Sequence, residues 1–495
     1  LCLSPQVARR IKIPSVPYDD TSLKRSPQVP TVSILLMQLT LVIAALASLV
    51  TAQSPSLDTQ ALYGNRPTWS KYDPPLATIV ADAAKAPTNS FAGKQVVPGK
   101  AFDKFYQIWL ENTDYDKASE QADMQWFMTQ GITLTNYWAQ THPSSPNYVA
   151  AVGGSYFGSY DNSYRLLPES VPTVADLLET KDISWGEYQE DQPYTGFTGY
   201  NFSRQSDYAD AYVRKHNPLV FYETVTNYPN RLANIKNFTE FDKDVAANAL
   251  PQWAFITPNM TNDAHDTDIE FAGKWARGWL EPLLNNEEFM KNNLIILTFD
   301  ENDTYSKKNT ILAILLGGAI PEHLKGTTDH TYYNHYSNIA TCEANWELPH
   351  LGRGDVDANV FKFIADDLNI PVAEFDTTNQ YNNFSAPGFF SDKSLGVGRP
   401  QLNATGAGGA RILPALLEVF ADASDVNGTG SAATFFNRAA NNNSTGGNST
   451  VVSPSITGSA APSASATVSS GQANGAAAAG VSLGAAVVGA VALFI

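Results

Sequence analysis

The feature that most constrains the fold of this chain is residues 294–302, Leu-Ile-Ile-Leu-Thr-Phe-Asp-Glu-Asn, an apolar run of strand length that stops abruptly in two carboxylates and an amide. An unbroken hydrophobic run with no polar alternation predicts a strand covered on both faces, as in a parallel sheet between helices. Ligands of open α/β sheets bind beyond the carboxyl ends of the strands, so Asp300 and Glu301 stand where a polar site is expected. Two adjacent carboxylates there call for a cation or a shared proton to offset their repulsion. Taken alone, the stretch could equally be a solvated acidic turn.

The design recurs along the chain. Residues 102–110 alternate and then run apolar into Glu111 and Asn112, followed by Thr113, Asp114, Tyr115 and Asp116. A helix is predicted over 118–129, with Gly131 placed to end it. Residues 132–137 read as the next strand and lead into His142-Pro143-Ser144-Ser145-Pro146-Asn147-Tyr148. Pro146 suits the first turn of a helix, which puts Ser144 or Ser145 at or just before the N-terminus, where free backbone N–H groups and the helix dipole attract an anion. A serine there can also be an N-cap and nothing more. Further strands are predicted over 184–188, 253–257 and 311–316. The second of these empties into Asn262-Asp263-Ala264-His265-Asp266, where a histidine between two aspartates is better placed as a ligand or proton carrier than a lone surface histidine. Helices are predicted over 174–178, 238–249, 271–284, 360–367 and 413–421, with another after His335 that carries Ile339, Cys342 and Trp346 on an apolar face. Strands alternating with helices describe an α/β fold, a doubly wound, mostly parallel sheet between helices, with one site along its edge.

Composition bounds the partners. Asp and Glu outnumber Lys and Arg by 49 to 32, a formal charge of -17, which argues against a nucleic-acid backbone as ligand. Residues 1–36 form a basic, proline-containing run without periodicity and are expected not to belong to the native protein. Residues 37–52 have the short apolar core and small-residue exit of a signal peptide. Residues 53–440 are expected to form the catalytic domain. Residues 441–474, rich in Ser, Thr, Ala and Gly, read as a stalk unable to bury a core. Residues 475–495 match a GPI-attachment tail, so a lipid anchor and an extracellular, cell-surface or cell-wall location are expected. Sequons at Asn201, Asn237, Asn259, Asn302, Asn383 and Asn403, with others further on, are compatible with that route, although glycans are not expected at Asn259 and Asn302 beside the suspected site.

Glu111, Asn112, Asp300 and Glu301 are hard oxygen donors suited to a divalent cation. Ser144 offers an alcohol nucleophile, weak unless a metal or base activates it. His142, His265 and His335 are candidate proton carriers, and His265 and His335 could also bind metal. Such a set suits in-line attack on phosphorus, because the nucleophile and the nonbridging oxygens both need positive charge. The ordered motifs ENTDYD at Glu111, HPSSPNY at His142, NDAHD at Asn262, FDEN at Phe299 and NHYS at Asn334 resemble those of the phosphoesterase family. That family unites fungal extracellular acid phosphatases with bacterial acid phosphatases and phospholipases C, within the alkaline-phosphatase-like superfamily. The resemblance covers residues 102–368 and is closest to the fungal acid phosphatases. It implies a metal held by Glu111, Asn112, Asp300 and Glu301, with His265 and His335 completing the site, and Ser144 rather than Ser145 as nucleophile on small phosphate esters. Asp114 stands where the phospholipase branch usually has Ser, so a phospholipase C remains the alternative, and a non-catalytic cell-wall glycoprotein a third reading.

Overall fold

The structure, a computed structural model, describes residues 73–206 and 209–420. The expected leader, stalk and anchor segments lie outside the described residues, and among the described residues no helix is long and apolar enough to cross a membrane.

The 294–302 run forms β8 (Asn293–Phe299), buried at every position. A fully buried Leu or Ile contributes about 1.5–3 kcal/mol relative to its exposed state, so such a strand fixes the middle of the core. It pairs in parallel with β1 (Lys104–Leu110), which in turn pairs in parallel with β7 (Trp253–Thr257). Beyond β7 lie β3 (Trp185–Gln189) and β6 (Ile235–Asn237), also parallel. On the other flank β8 meets β9 (Thr310–Leu316), then β2 (Ile132–Trp138) and the short edge strands β10 (Thr327–Asp329) and β11 (Tyr333–Asn334). Strand β9 runs antiparallel to both its neighbours, so the sheet is mixed but mostly parallel. A separate hairpin joins β4 (Asn201–Ser203) to β5 (Asp210–Val213).

Register sets the site. Leu110 lies beside Phe299, so Glu111 and Asp300 leave the sheet at the same level. The backbone continues the pairing for one more residue: Asp300 N donates to Leu110 O at 3.0 Å and Glu111 N donates to Asp263 O at 2.7 Å. Three strand exits thereby converge at one sheet edge.

Helices cover both faces, with one departure from the sequence pattern. The helix expected over 118–129 is two, Tyr115–Glu120 and Ala122–Gln130, because Gln121 is extended (φ −72°, ψ 133°) and caps the second through a bond from Met124 N. The amide of Gln121 packs against Gly273 of the helix Ile269–Leu284, where a Cβ would collide with it. The helix His335–Trp346 is buried throughout and packs on Ser144–Gly153.

Candidate active site

Glu111 is the hub. It is fully buried, and its Oε1 accepts a 2.5 Å bond from the Tyr148 hydroxyl while Oε2 accepts a 3.1 Å bond from Ser144 Oγ. Ser144 is the first residue of its helix; Pro143 precedes it as the cap residue and no side-chain cap bond is made. Its hydroxyl is therefore turned to the acids, lying 3.4 Å from Glu301 Oε1 as well. One turn on, Asn147 Nδ2 donates to Glu301 Oε2 at 3.2 Å while its oxygen takes the Gln140 N–H at 2.9 Å, which ties the serine turn to the end of β2. His142 Nδ1 is 2.9 Å from Glu301 Oε2, at contact distance but not aligned as a hydrogen bond.

Asp300 Oδ1 takes the backbone N–H groups of Asn112 (3.2 Å) and Glu301 (2.6 Å), while Oδ2 is buried without a protein partner. Asn112 sits at φ +31°, a turn conformation asparagine tolerates, and its Oδ1 is likewise buried and unpartnered. Of the expected quartet, Glu111 and Glu301 accept from Ser144, Asp300 lies beside them, and Asn112 joins through its backbone bond to Asp300.

The histidines divide. His142 stands beside Glu301. His265 lies at the rim, its Nδ1 3.0 Å from Asp266 and its Nε2 2.8 Å from Lys215 Nζ. His335 does not face the acids. Its Nε2 meets the main-chain oxygen of Asp300 at 2.7 Å, its Nδ1 is 3.4 Å from the Tyr137 hydroxyl, and its ring lies on Trp109. Both nitrogens are engaged behind the strand end, so the expected ligand or proton-carrier role gives way to a prop that holds Asp300.

Sequence reasoning missed His216. It comes from the short 3-10 turn Arg214–His216 directly after β5, a four-residue hairpin strand that the sequence pattern did not predict. Its Nε2 lies 3.1 Å from Glu111 Oε1 and its Nδ1 3.6 Å from Asp263 Oδ2, and its ring stacks on Tyr148. Asp263 was visible in sequence only as a neighbour of His265. The available hint was the run Arg214-Lys215-His216, three consecutive basic residues in an acidic chain.

Burial dominates the titration of these groups. It pushes Asp300, Glu301 and Asp263 well above the carboxylate range, and the charge of Glu111 adds to the effect in all three. Burial acts on Glu111 too, but His216 beside it, with Lys215 and His265, outweighs this and holds the group at about 2. Burial lowers His142 and His216 to about 4 and His335 to about 3. Four buried acids around one serine cannot all ionise without added positive charge.

The donor set fits a divalent cation. Asp300 Oδ2, Asp263 Oδ2 and Asn112 Oδ1 are buried oxygens that accept no hydrogen bond. Glu111, His216 and Asp263 offer ligand atoms within 4.8 Å of one another, an arrangement able to hold a metal ion. A separate cavity of about 970 Å³ runs along edge strand β10, past His323, His330 and Phe375, and none of the four acids lines it.

The phosphoesterase family model matches residues 97–349, which contain every group named at this site. The chain belongs to the phosphoesterase family. Among relatives of this phosphoesterase, a Kluyveromyces lactis protein named "Probable acid phosphatase" is 50% identical over 373 residues, covering 75% of this chain and 87% of its own. An Aspergillus fumigatus acid phosphatase is 54% identical over 321 residues, 65% of this chain and 71% of its own. A solved alkaline phosphatase superfamily protein from Vibrio parahaemolyticus aligns at 12% identity and a TM-score of 0.34, covering 64% of this chain and 81% of its own, values too low to bear on function.

Proposed function

We propose that this phosphoesterase is a secreted acid phosphatase that hydrolyses phosphate monoesters through Ser144. The observation that carries the reading is the Ser144 hydroxyl bonded to two buried carboxylates from two strand exits. The fungal relatives named acid phosphatase support the substrate class. Ser144 Oγ attacks phosphorus, a P–O bond to the serine forms, and the bond to the departing alcohol breaks; water then cleaves the phosphoserine and frees phosphate. Glu111, the acid held ionised, is the acceptor at hand for the serine proton, and His142 beside Glu301 is the group placed to pass a proton to the departing oxygen. A divalent cation held by Glu111, Asn112, Asp300 and Glu301, with Asp263 and His216 adjacent, supplies when bound the positive charge that lowers the serine pKa and offsets the phosphate oxygens.

Asp114 is committed to structure. It is buried and accepts from Thr304 N at 2.8 Å, Thr304 Oγ1 at 2.7 Å and Lys307 Nζ at 2.9 Å. Nothing at that position favours the phospholipase reading. Passage through a secretory route rests on the sequence of residues 37–52 and 475–495. Asn403 is exposed and available to a glycan, whereas Asn259 and Asn302 are buried with their amides bonded to Asp191 and Thr304. The deciding experiment is phosphate release from an aryl phosphate by purified Ser144→Ala. We expect a loss of roughly a thousandfold or more with metal content retained; undiminished metal-dependent turnover excludes Ser144 as nucleophile.

A further inference from the structure

Tyr305 is exposed to 52% although the loop carrying it is firmly held. Asp114 binds that loop at Thr304 and Lys307, Asn302 N donates to Asn309 Oδ1 at 2.9 Å, Asn383 Nδ2 donates to Lys307 O at 3.0 Å and also to Tyr305 O, and Lys308 Nζ donates to Thr377 O at 2.8 Å. An aromatic ring left in solvent on an anchored loop is presented at a fixed place. It is not the mobile side chain of a free turn.

Its position relative to the acids follows from two observations. One face stacks on His142, with ring centroids 3.8 Å apart and an interplanar angle of 27°. His142 in turn lies 2.9 Å from Glu301, which accepts from Ser144. Independently, the phenol is pushed up to about 12, first by burial of its inner edge and then by the charges of Glu301, Asp300 and Glu111, which places it in the field of the cluster. Tyr305 therefore stands at the rim of the acid cluster, on the side of His142.

In an in-line displacement the departing oxygen leaves opposite the attacking one. The attacking serine is packed against the buried acids, so the departing group points outward to the rim, where the exposed Tyr305 ring covers the buried His142. We propose that Tyr305 is a specificity-determining residue: its exposed ring is the wall against which the alcohol portion of the ester rests, favouring flat aromatic leaving groups over short alkyl ones. This rests on the Ser144 reading above. A stacked aromatic pair contributes about 0.5–1.5 kcal/mol beyond its area, which corresponds to roughly a 2- to 13-fold preference.

The test compares kcat/KM for phenyl phosphate and glycerol phosphate in the full, metal-loaded protein and in Tyr305→Phe, Tyr305→Leu and Tyr305→Ala. Tyr305→Phe is expected to keep the ratio of the two values. Tyr305→Leu and Tyr305→Ala are expected to lower it by roughly 2- to 13-fold, with phenyl phosphate losing more. If Tyr305→Ala does not fold, Tyr305→Leu, which keeps most of the bulk and removes the π face, decides alone. A ratio unchanged in Tyr305→Leu, or equal losses on both esters, overturns the proposal. Ser144→Ala run in parallel separates this failure from failure of the underlying reading: an active Ser144→Ala sinks the serine mechanism, whereas a dead Ser144→Ala with an unchanged ratio sinks only the role of Tyr305.

Discussion

Two of the places where ionisable side chains are buried along this sheet handle charge in opposite ways. Beside β3 and β6, Lys236 Nζ meets Asp244 Oδ2 at 2.7 Å, the Tyr188 hydroxyl donates to the same oxygen at 2.6 Å, and the ammonium lies 4.7 Å from the Phe91 ring centre. One cation faces one anion, and that site is complete in itself. At the exits of β1, β7 and β8, four buried acids gather about Ser144 and His216, and three buried side-chain oxygens of Asn112, Asp263 and Asp300 accept no hydrogen bond. A buried pair that balances serves the fold; a buried cluster that does not balance is built for something brought from outside.

Two substitutions set the regions against each other. Asp300→Asn is expected to reduce phosphate release by about a thousandfold or more and to lower metal content, while the metal-free protein melts no lower, because one member of a mutually repelling cluster has been neutralised. Calorimetry with metal analysis checks it; a marked destabilisation of the metal-free protein would mean that the cluster is balanced after all. Asp244→Asn should do the reverse. It leaves Lys236 buried without its counter-ion and is expected to cost about 3–5 kcal/mol in denaturant unfolding, with kcat unchanged.

A third, smaller effect sharpens the contrast through pH. Glu190 follows β3, accepts from Asn259 N and the Asn262 amide, and is raised by burial to about 7. In the unfolded chain it ionises near 4.5, so its protonated form is favoured by folding. The resulting stabilisation is fully present below about 4.5 and is lost as pH rises to about 7. Glu190→Gln should therefore flatten the fall in stability across that window, by no more than about 3 kcal/mol. An unchanged slope between pH 4.5 and 7 would remove Glu190 as its source.

The sheet centre and most of the cluster were legible because β8 and β1 advertise themselves: long apolar runs with no alternation, each ending in acid and amide. The direction of β9 was not, since an all-apolar run such as Ile311 to Leu316 encodes burial but not polarity of the strand. The break at Gln121 was hidden because glutamine is a good helix former, and its contact with Gly273 comes from another helix distant in sequence. His216 escaped notice because a 3-10 turn has no periodicity to place its side chain. His335 carried a motif resemblance but no information on which way its ring would turn. Only packing on Trp109 and the carbonyl of Asp300 decides that.

The antiparallel course of β9 has a consequence for diversification. A parallel crossover after β8 would carry the chain away over a helix to the opposite end of the sheet. The immediate return instead keeps residues 302–309 as one brim beside the acids, with the sheet at both feet and Asp114 and Asn383 holding its middle. Exposed side chains of such a brim, Tyr305 among them, can be exchanged without rethreading any other part of the molecule, so what enters can be reshaped there while the anchors at Thr304 and Lys307 stay in place.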